Sequence, residues 1–149
     1  MELVEQIIRN DRFCFETVGI ELLEITPGAA TMRLEIKPAH LNGLGRVQGG
    51  AIFTLADLAL AAASNSSGKA AVSVNASISY FKGVSDGFLI ATAWEEAVNP
   101  RLGTYSVRVI DDQEDLVALM QATVYRKKET LEEILKSQEE TAANDHHSK

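Results

Sequence analysis

The chain has 149 residues, is 46% hydrophobic and 23% charged, and carries a net charge of −7. That length suffices for one domain with a real buried core, and the acidic balance argues against nucleic acid or an anionic membrane surface as the main partner. The single cysteine, Cys14, excludes an internal disulfide and a cysteine-based metal cluster.

Residues 2–15 place Leu3, Val4, Ile7 and Ile8 on one side and Glu5, Arg9 and Arg12 on the other, which predicts an amphipathic helix. Its start, Met1 to Glu5, lacks the basic residues and apolar run of a signal peptide, so a cytoplasmic protein is expected. Asn10 and Asp11 fall near the helix end, where surface polarity is the simple reading. Ile20 to Ile25 reads as a strand, closed by a Pro27-Gly28 turn. Residues 30–37 alternate between apolar and polar, the pattern of a half-buried antiparallel strand.

Asn42 to Gly50 is rich in glycine and predicts a loop with tight or left-handed backbone. It leads into a helix, Ala51 to Ser64, that is apolar on nearly every face and must therefore be surrounded, as by a sheet wrapped around it. Asn65 and Gly68 supply the chemistry of a C-terminus. Asp57 is the exception. A carboxylate in so apolar a helix costs several kcal/mol unless it has a partner or a purpose. Together with Ser64 it also breaks the best candidate for a membrane span. Thr54 and Ser64 share its face and form one narrow polar stripe.

Strands are expected at Ala70 to Phe81, Phe88 to Val98, Thr104 to Ile110 and Leu116 to Tyr125, with short connections that suggest a meander. Asp111 to Asp115 reads as a solvated hairpin tip. From Lys127 the character changes: Lys128 to Glu140 is helix-prone, and Ala142 to Lys149 reads as a frayed end. The expected organisation is a domain over residues 1–126 and an acidic helical tail over 127–149. The fold class is α+β, an antiparallel sheet around a central helix with an N-terminal helix and a C-terminal helical tail. His146-His147 in a polar tail makes a poor metal site, and no metal is expected.

The chemistry centres on the start of the apolar helix. Its first amides are unsatisfied and its dipole end is positive, so it can polarise a carbonyl, and Gly49 and Gly50 allow close approach. Asp57 lies two turns further along, too far to serve the same carbonyl. Two copies side by side would bring the Asp57 of one towards the helix start of the other. That supplies a clamp for an acyl carbonyl and a carboxylate to act as general base or nucleophile. No Ser-His-Asp triad, phosphate loop or dinucleotide fingerprint is present.

The pattern Asn42-x-x-Gly45-x-x-Gln48-Gly49-Gly50, followed by Leu55-Ala56-Asp57, resembles the signature of hot-dog-fold acyl-CoA thioesterases, with the phenylacetate-pathway (PaaI-type) enzymes as the nearest subgroup. The resemblance spans about residues 7–126. It implies a homodimer with a continuous sheet, usually a dimer of dimers, with sites at the subunit interface. The substrate would be an acyl- or aryl-acyl-CoA, phenylacetyl-CoA-like, cleaved to free acid and CoA with no cofactor beyond the CoA of the substrate. By this resemblance Asp57 is the catalytic carboxylate and the Gly49 amide the oxyanion donor. Asn42 holds substrate or water, Asn10 lies near the substrate and Ser73 positions the water. Lys82 and Gly83, and Arg101 to Gly103, contact the pantetheine and phosphates. Gln48 departs from the family's usual histidine: its amide can donate and accept but cannot titrate. That departure motivates the alternative of a non-catalytic acyl-CoA binding or sensing protein, while Asp57 favours catalysis. A hot-dog hydratase would need a histidine that this core lacks.

Overall fold

The computed structural model describes residues 1–148 and shows a six-stranded antiparallel sheet around a central helix. The N-terminal helix α1 spans Glu2–Arg9 and buries Val4 and Ile8. It stops short of the helix expected to residue 15. Asp11 Oδ1 accepts the Cys14 amide at 2.9 Å, and a separate π-helical turn runs over Phe13–Val18. The strands are β1 (Glu21–Thr26), β2 (Ala29–Glu35), β3 (Lys69–Tyr80), β4 (Phe88–Val98), β5 (Leu102–Asp111) and β6 (Leu116–Thr130).

The central helix α2, Gly49–Asn65, crosses the concave face. Leu55, Leu58 and Leu60 pack into a core with Met32, Leu34, Leu89, Val107 and Met120. Seventeen residues at 1.5 Å each make α2 roughly 25 Å long, enough to span most of a six-stranded sheet. The crossover it forms carries the chain from β2 to the opposite edge. The order is therefore β1-β2-β4-β5-β6-β3, not a simple meander. β4, β5 and β6 do form one, but β3 pairs only with β6 and leaves its other edge free. Val72 and Val74, 45% and 59% exposed, lie on that strand. At its far end α2 is tied down by Asn65, whose Oδ1 accepts the Ala71 amide, and by Ser66, whose Oγ accepts the Gly28 amide in the β1–β2 turn.

β6 continues past Tyr125 to Thr130, where a capping box with Glu133 starts α3, Leu131–His147. The tail is thus helical beyond Glu140, and Lys149 lies outside the described residues. α3 packs against α1 through its first turns, and its remaining faces are exposed.

Candidate active site

The loop before α2 is built by one side chain. Asn42 Oδ1 accepts the amides of Leu44 (2.9 Å) and Arg46 (3.2 Å), and its backbone pairs with Arg46 and Gly45. Gly45 takes φ +75°, which a side chain would strain. The loop is pinned by Gln48 N donating to His40 O and Val47 N to Val84 O, both at 2.8 Å. Among the described residues the Asn42 side-chain amide donates to none.

Gln48 is the N-cap of α2, and its Oε1 accepts the Gly50 amide at 3.1 Å. A Cβ on Gly50 would sit 2.5 Å from that oxygen, so glycine here permits the cap. Gly50→Ala should lose the cap and about 1 kcal/mol of stability, measured by denaturant unfolding. The next amide back, that of Gly49, has no acceptor among the described residues. Tyr80 donates its hydroxyl to Gly49 O at 3.1 Å and fixes the peptide from behind. The Gly49 N–H is thus a held, free donor at the positive end of a long buried helix.

Asp57 is half-buried on the one face of α2 left open in the single chain, in line with Gly50, Thr54 and Ala61. Thr54 cannot serve it as a donor, because its hydroxyl donates to Gly50 O at 2.8 Å. Burial, and secondarily the charge of Asp11, raise the Asp57 pKa above the ordinary carboxylate value. Cys14 nearby is buried and its thiol is pushed up to about 12, which excludes it as a nucleophile at neutral pH. Gly49 and Asp57 are eight residues apart on one helix, about 12 Å along its axis. No single carbonyl can meet both within one chain.

Lys82 and Gly83 line a cleft of about 440 Å³ with Asn42, Arg46, Gly49 and Tyr80. Lys82 is not a free cation: its Nζ is held by Asp111 at 2.5 Å and Asp115 at 2.7 Å. The acidic tip is correspondingly more than a solvated hairpin, since Asp111 is 3% exposed and Lys82 holds its pKa below the usual value. Arg46 reaches across Gly83 to donate to Ser85 Oγ at 2.8 Å.

The remaining candidates lie elsewhere. Ser73 is exposed mid-way along β3. Asn10 donates to Gln138 on α3 at 3.4 Å. Arg101 belongs to a basic pocket with Lys69, Arg126, Lys127 and Lys128, at the opposite end of β3 from Tyr80. Gly103 is buried; a Cβ there would lie 2.9 Å from the Tyr105 ring, so its glycine serves packing. Sequence reasoning missed Tyr80, Asp11 and Arg46. Asp11 alone carried a signal, as a capping-type residue just after the first helix.

Over residues 44–118 the chain matches the family described as the Thioesterase superfamily. A protein of Archaeoglobus fulgidus, known as a candidate esterase, is 38% identical over 133 residues, 86% of either chain. The chain belongs to the thioesterase superfamily. The acyl-coenzyme A thioesterase PaaI of Escherichia coli is 32% identical over 114 residues, 76% of this chain and 81% of PaaI. The solved structure of E. coli PaaI, from the phenylacetic acid degradation operon, superposes with a TM-score of 0.81 at 28% identity, covering 87% of this chain and 96% of that one. The smu.793 protein of Streptococcus mutans, solved bound to acetyl CoA, gives a TM-score of 0.70 at 25% identity over 72% of this chain and 88% of its own. The fold is the hot-dog fold, and this thioesterase is a thioester hydrolase of the PaaI type. No helix among the described residues is long and apolar enough to cross a membrane.

Proposed function

We propose that the protein hydrolyses acyl- or aryl-acyl-CoA, phenylacetyl-CoA-like thioesters included, in a site shared between two copies of the chain. The observation that carries this reading is the separation on α2: a Gly49 amide at one end and an Asp57 carboxylate on the open face two turns away, neither with a hydrogen-bond partner among the described residues. Antiparallel pairing of β3 with the β3 of a second copy sets the open faces of the two α2 helices together. Asp57 of one copy then serves the carbonyl held by Gly49 of the other: it takes a proton from the water that adds to the carbonyl, or adds to it directly to form a mixed anhydride that water then cleaves, and in either case the carbon–sulfur bond breaks and CoA leaves as its thiol. Ser73 and the free Asn42 amide stand where they can orient water and substrate. Cytoplasmic work and further pairing into a dimer of dimers fit the same reading.

β3 also explains the split of the cationic residues. Twelve residues at about 3.3 Å separate its ends by roughly 36 Å. Antiparallel pairing brings the Lys69 end of one copy, with Arg101, beside the Tyr80 end and the Gly49 cleft of the other. The CoA phosphates would meet Arg101 there, while Lys82, already ion-paired, shapes the cleft floor. Arg101→Ala should raise KM for acyl-CoA several-fold with little change in kcat. If acyl-pantetheine suffers the same rise, the phosphate role fails.

A panel of acyl-CoA substrates assayed by thiol release tests the activity. Light scattering tests the assembly: a dimer or a pair of dimers is expected at micromolar concentration, and a stable monomer with full activity would rule out a shared site. The departure at Gln48 bears on this reading directly. Gln48 occupies the Gly50 amide as a cap and leaves that of Gly49 free, so the carbonyl clamp does not depend on a histidine. Gln48→His should leave the rate within about tenfold.

A further inference from the structure

Gly49 carries the amide assigned to the carbonyl, yet it is a residue of α2 with little to hold it. It stands first in the helix and has no side chain to pack. Its nearest ties are local. Ala51 and Ile52 donate their amides to Gln48 O at 2.9 and 3.2 Å, and Gly50 donates its amide to Gln48 Oε1 at 3.1 Å. These bonds shape the first turn of the helix and leave its placement against the sheet unset. Tyr80 supplies that placement. It ends β3, paired with Ala118, and the next amide, that of Phe81, donates to Val117 O at 2.8 Å. Alternation along the strand puts its side chain on the same face as Ala76 and Ile78, which pack against the core. From there the hydroxyl donates to Gly49 O, 31 residues away in sequence. The ring lies where a Gly49 side chain would go, its Cζ 3.3 Å from the position of a Cβ.

We infer that Tyr80 is a positioning residue for the hydrolysis: it holds Gly49 so that the Gly49 N–H stays aimed at the carbonyl oxygen of the thioester. This rests on the acyl-CoA reading above. A donor stabilises a developing oxyanion best when it need not reorganise as the charge forms. Without its tie to the sheet Gly49 would turn about its own φ and ψ, a freedom that glycine has in fullest measure. The hydroxyl engages the Gly49 carbonyl, which points down the helix, and leaves the N–H, which points out of its start, open to substrate. β3 also serves the other half of the site. Its free edge is the one proposed above to pair with a second copy and so to bring in the Asp57 of that copy. One strand therefore sets both the donor and the carboxylate, and their separation follows from β3 rather than from α2.

The test compares Tyr80→Phe with the unaltered protein, both checked by light scattering for the same assembly. The variant keeps the ring against Gly49 and deletes only the hydroxyl, at a residue 49% exposed. With the fastest thioester of the panel above, kcat should fall about three- to tenfold, the worth of one hydrogen bond between uncharged groups. KM should stay within about twofold. In a Gly49→Pro background, where the N–H is gone, the same substitution should change kcat by less than about twofold. An unchanged kcat, an equal loss in both backgrounds, or a rise in KM alone overturns the positioning role. Calorimetry reads the same tie without turnover, using the ketone acetonyl-CoA and the thioether propyl-CoA, which differ at the carbonyl alone. The advantage of the ketone should shrink by at least about twofold in Tyr80→Phe. Absence of turnover with every thioester, alongside that shrinkage, would overturn the hydrolase reading and leave Tyr80 holding the carbonyl donor. Absence of turnover with an unchanged advantage would overturn both.

Discussion

Asp57→Asn is expected to lower kcat by roughly 10²-fold or more, in line with the contribution of a general base or nucleophile, with KM little changed. The substitution keeps shape and hydrogen-bonding capacity and removes only the ionisable function. Single-turnover hydrolysis by folded, dimeric protein is the decisive measurement. Near-normal turnover there would reduce Asp57 to a contact between subunits and favour the acyl-CoA binding reading. A pH signature accompanies it. The folded-state pKa of Asp57 is raised by burial and by Asp11, so the reactive carboxylate form accumulates at higher pH than for an exposed aspartate. The acid limb of kcat/KM should be displaced upward to match, and Asp11→Asn, which keeps the acceptor for the Cys14 amide, should move it down.

The same shift fixes the sign of a stability effect. A group whose pKa rises on folding stabilises the native state below its unfolded value, about 4 for Asp. That contribution disappears as pH rises through the folded value. Asp57→Asn and the unaltered protein should therefore melt together near pH 4, and the variant should melt higher at neutral pH, where it no longer holds a buried charge.

The second large effect is expected at Gly49, where a backbone donor can be removed by choice of side chain. Gly49 is the first residue of α2, a position that proline favours. Gln48 before it has φ −62° and ψ 136°, the extended backbone that a following proline requires. Gly49→Pro thus keeps the helix and deletes the N–H assigned to the thioester oxyanion. Loss of one such donor costs roughly 10²–10³ in kcat. Gly49→Ala is the control. It retains the N–H but places a Cβ 3.3 Å from the Tyr80 ring, so it reports crowding alone. A proline variant that turns over as fast as the alanine variant would remove the Gly49 amide from the mechanism.

Much of the fold is legible in local pattern. The alternation in β2 and β4, the apolar run of α2 and the glycine-rich loop before it each reflect a constraint that acts within a few residues. So does the isolation of Asp57, since one charge in an apolar helix is visible without any knowledge of its surroundings. What is illegible depends on pairings across long stretches of chain. β3 alternates as β4 does, and nothing within it says that it lies at the far edge; that follows from the length of α2 and the crossover it makes. Tyr80 reads as one more strand aromatic until the end of β3 is set against Gly49. Lys82 reads as a free cation until the β5–β6 tip folds back with Asp111 and Asp115. The break between α1 and the π-helical turn was hidden because Asp11 and Cys14 suit a continuous helix nearly as well as a capped restart.

The free edge of β3 has a consequence for the life of the newly made chain. From Ala70 to Tyr80 the strand contains no charged residue and no proline, the two devices that commonly discourage unwanted strand pairing. A lone chain therefore displays a long, adhesive template from the moment it folds. Association with an identical edge conceals that template in a closed pair, whereas any other edge invites open-ended growth. Self-recognition by this strand, as proposed above, would in that sense be a safeguard against aggregation, and a lysine placed at Val74 should yield chains that stay soluble while apart.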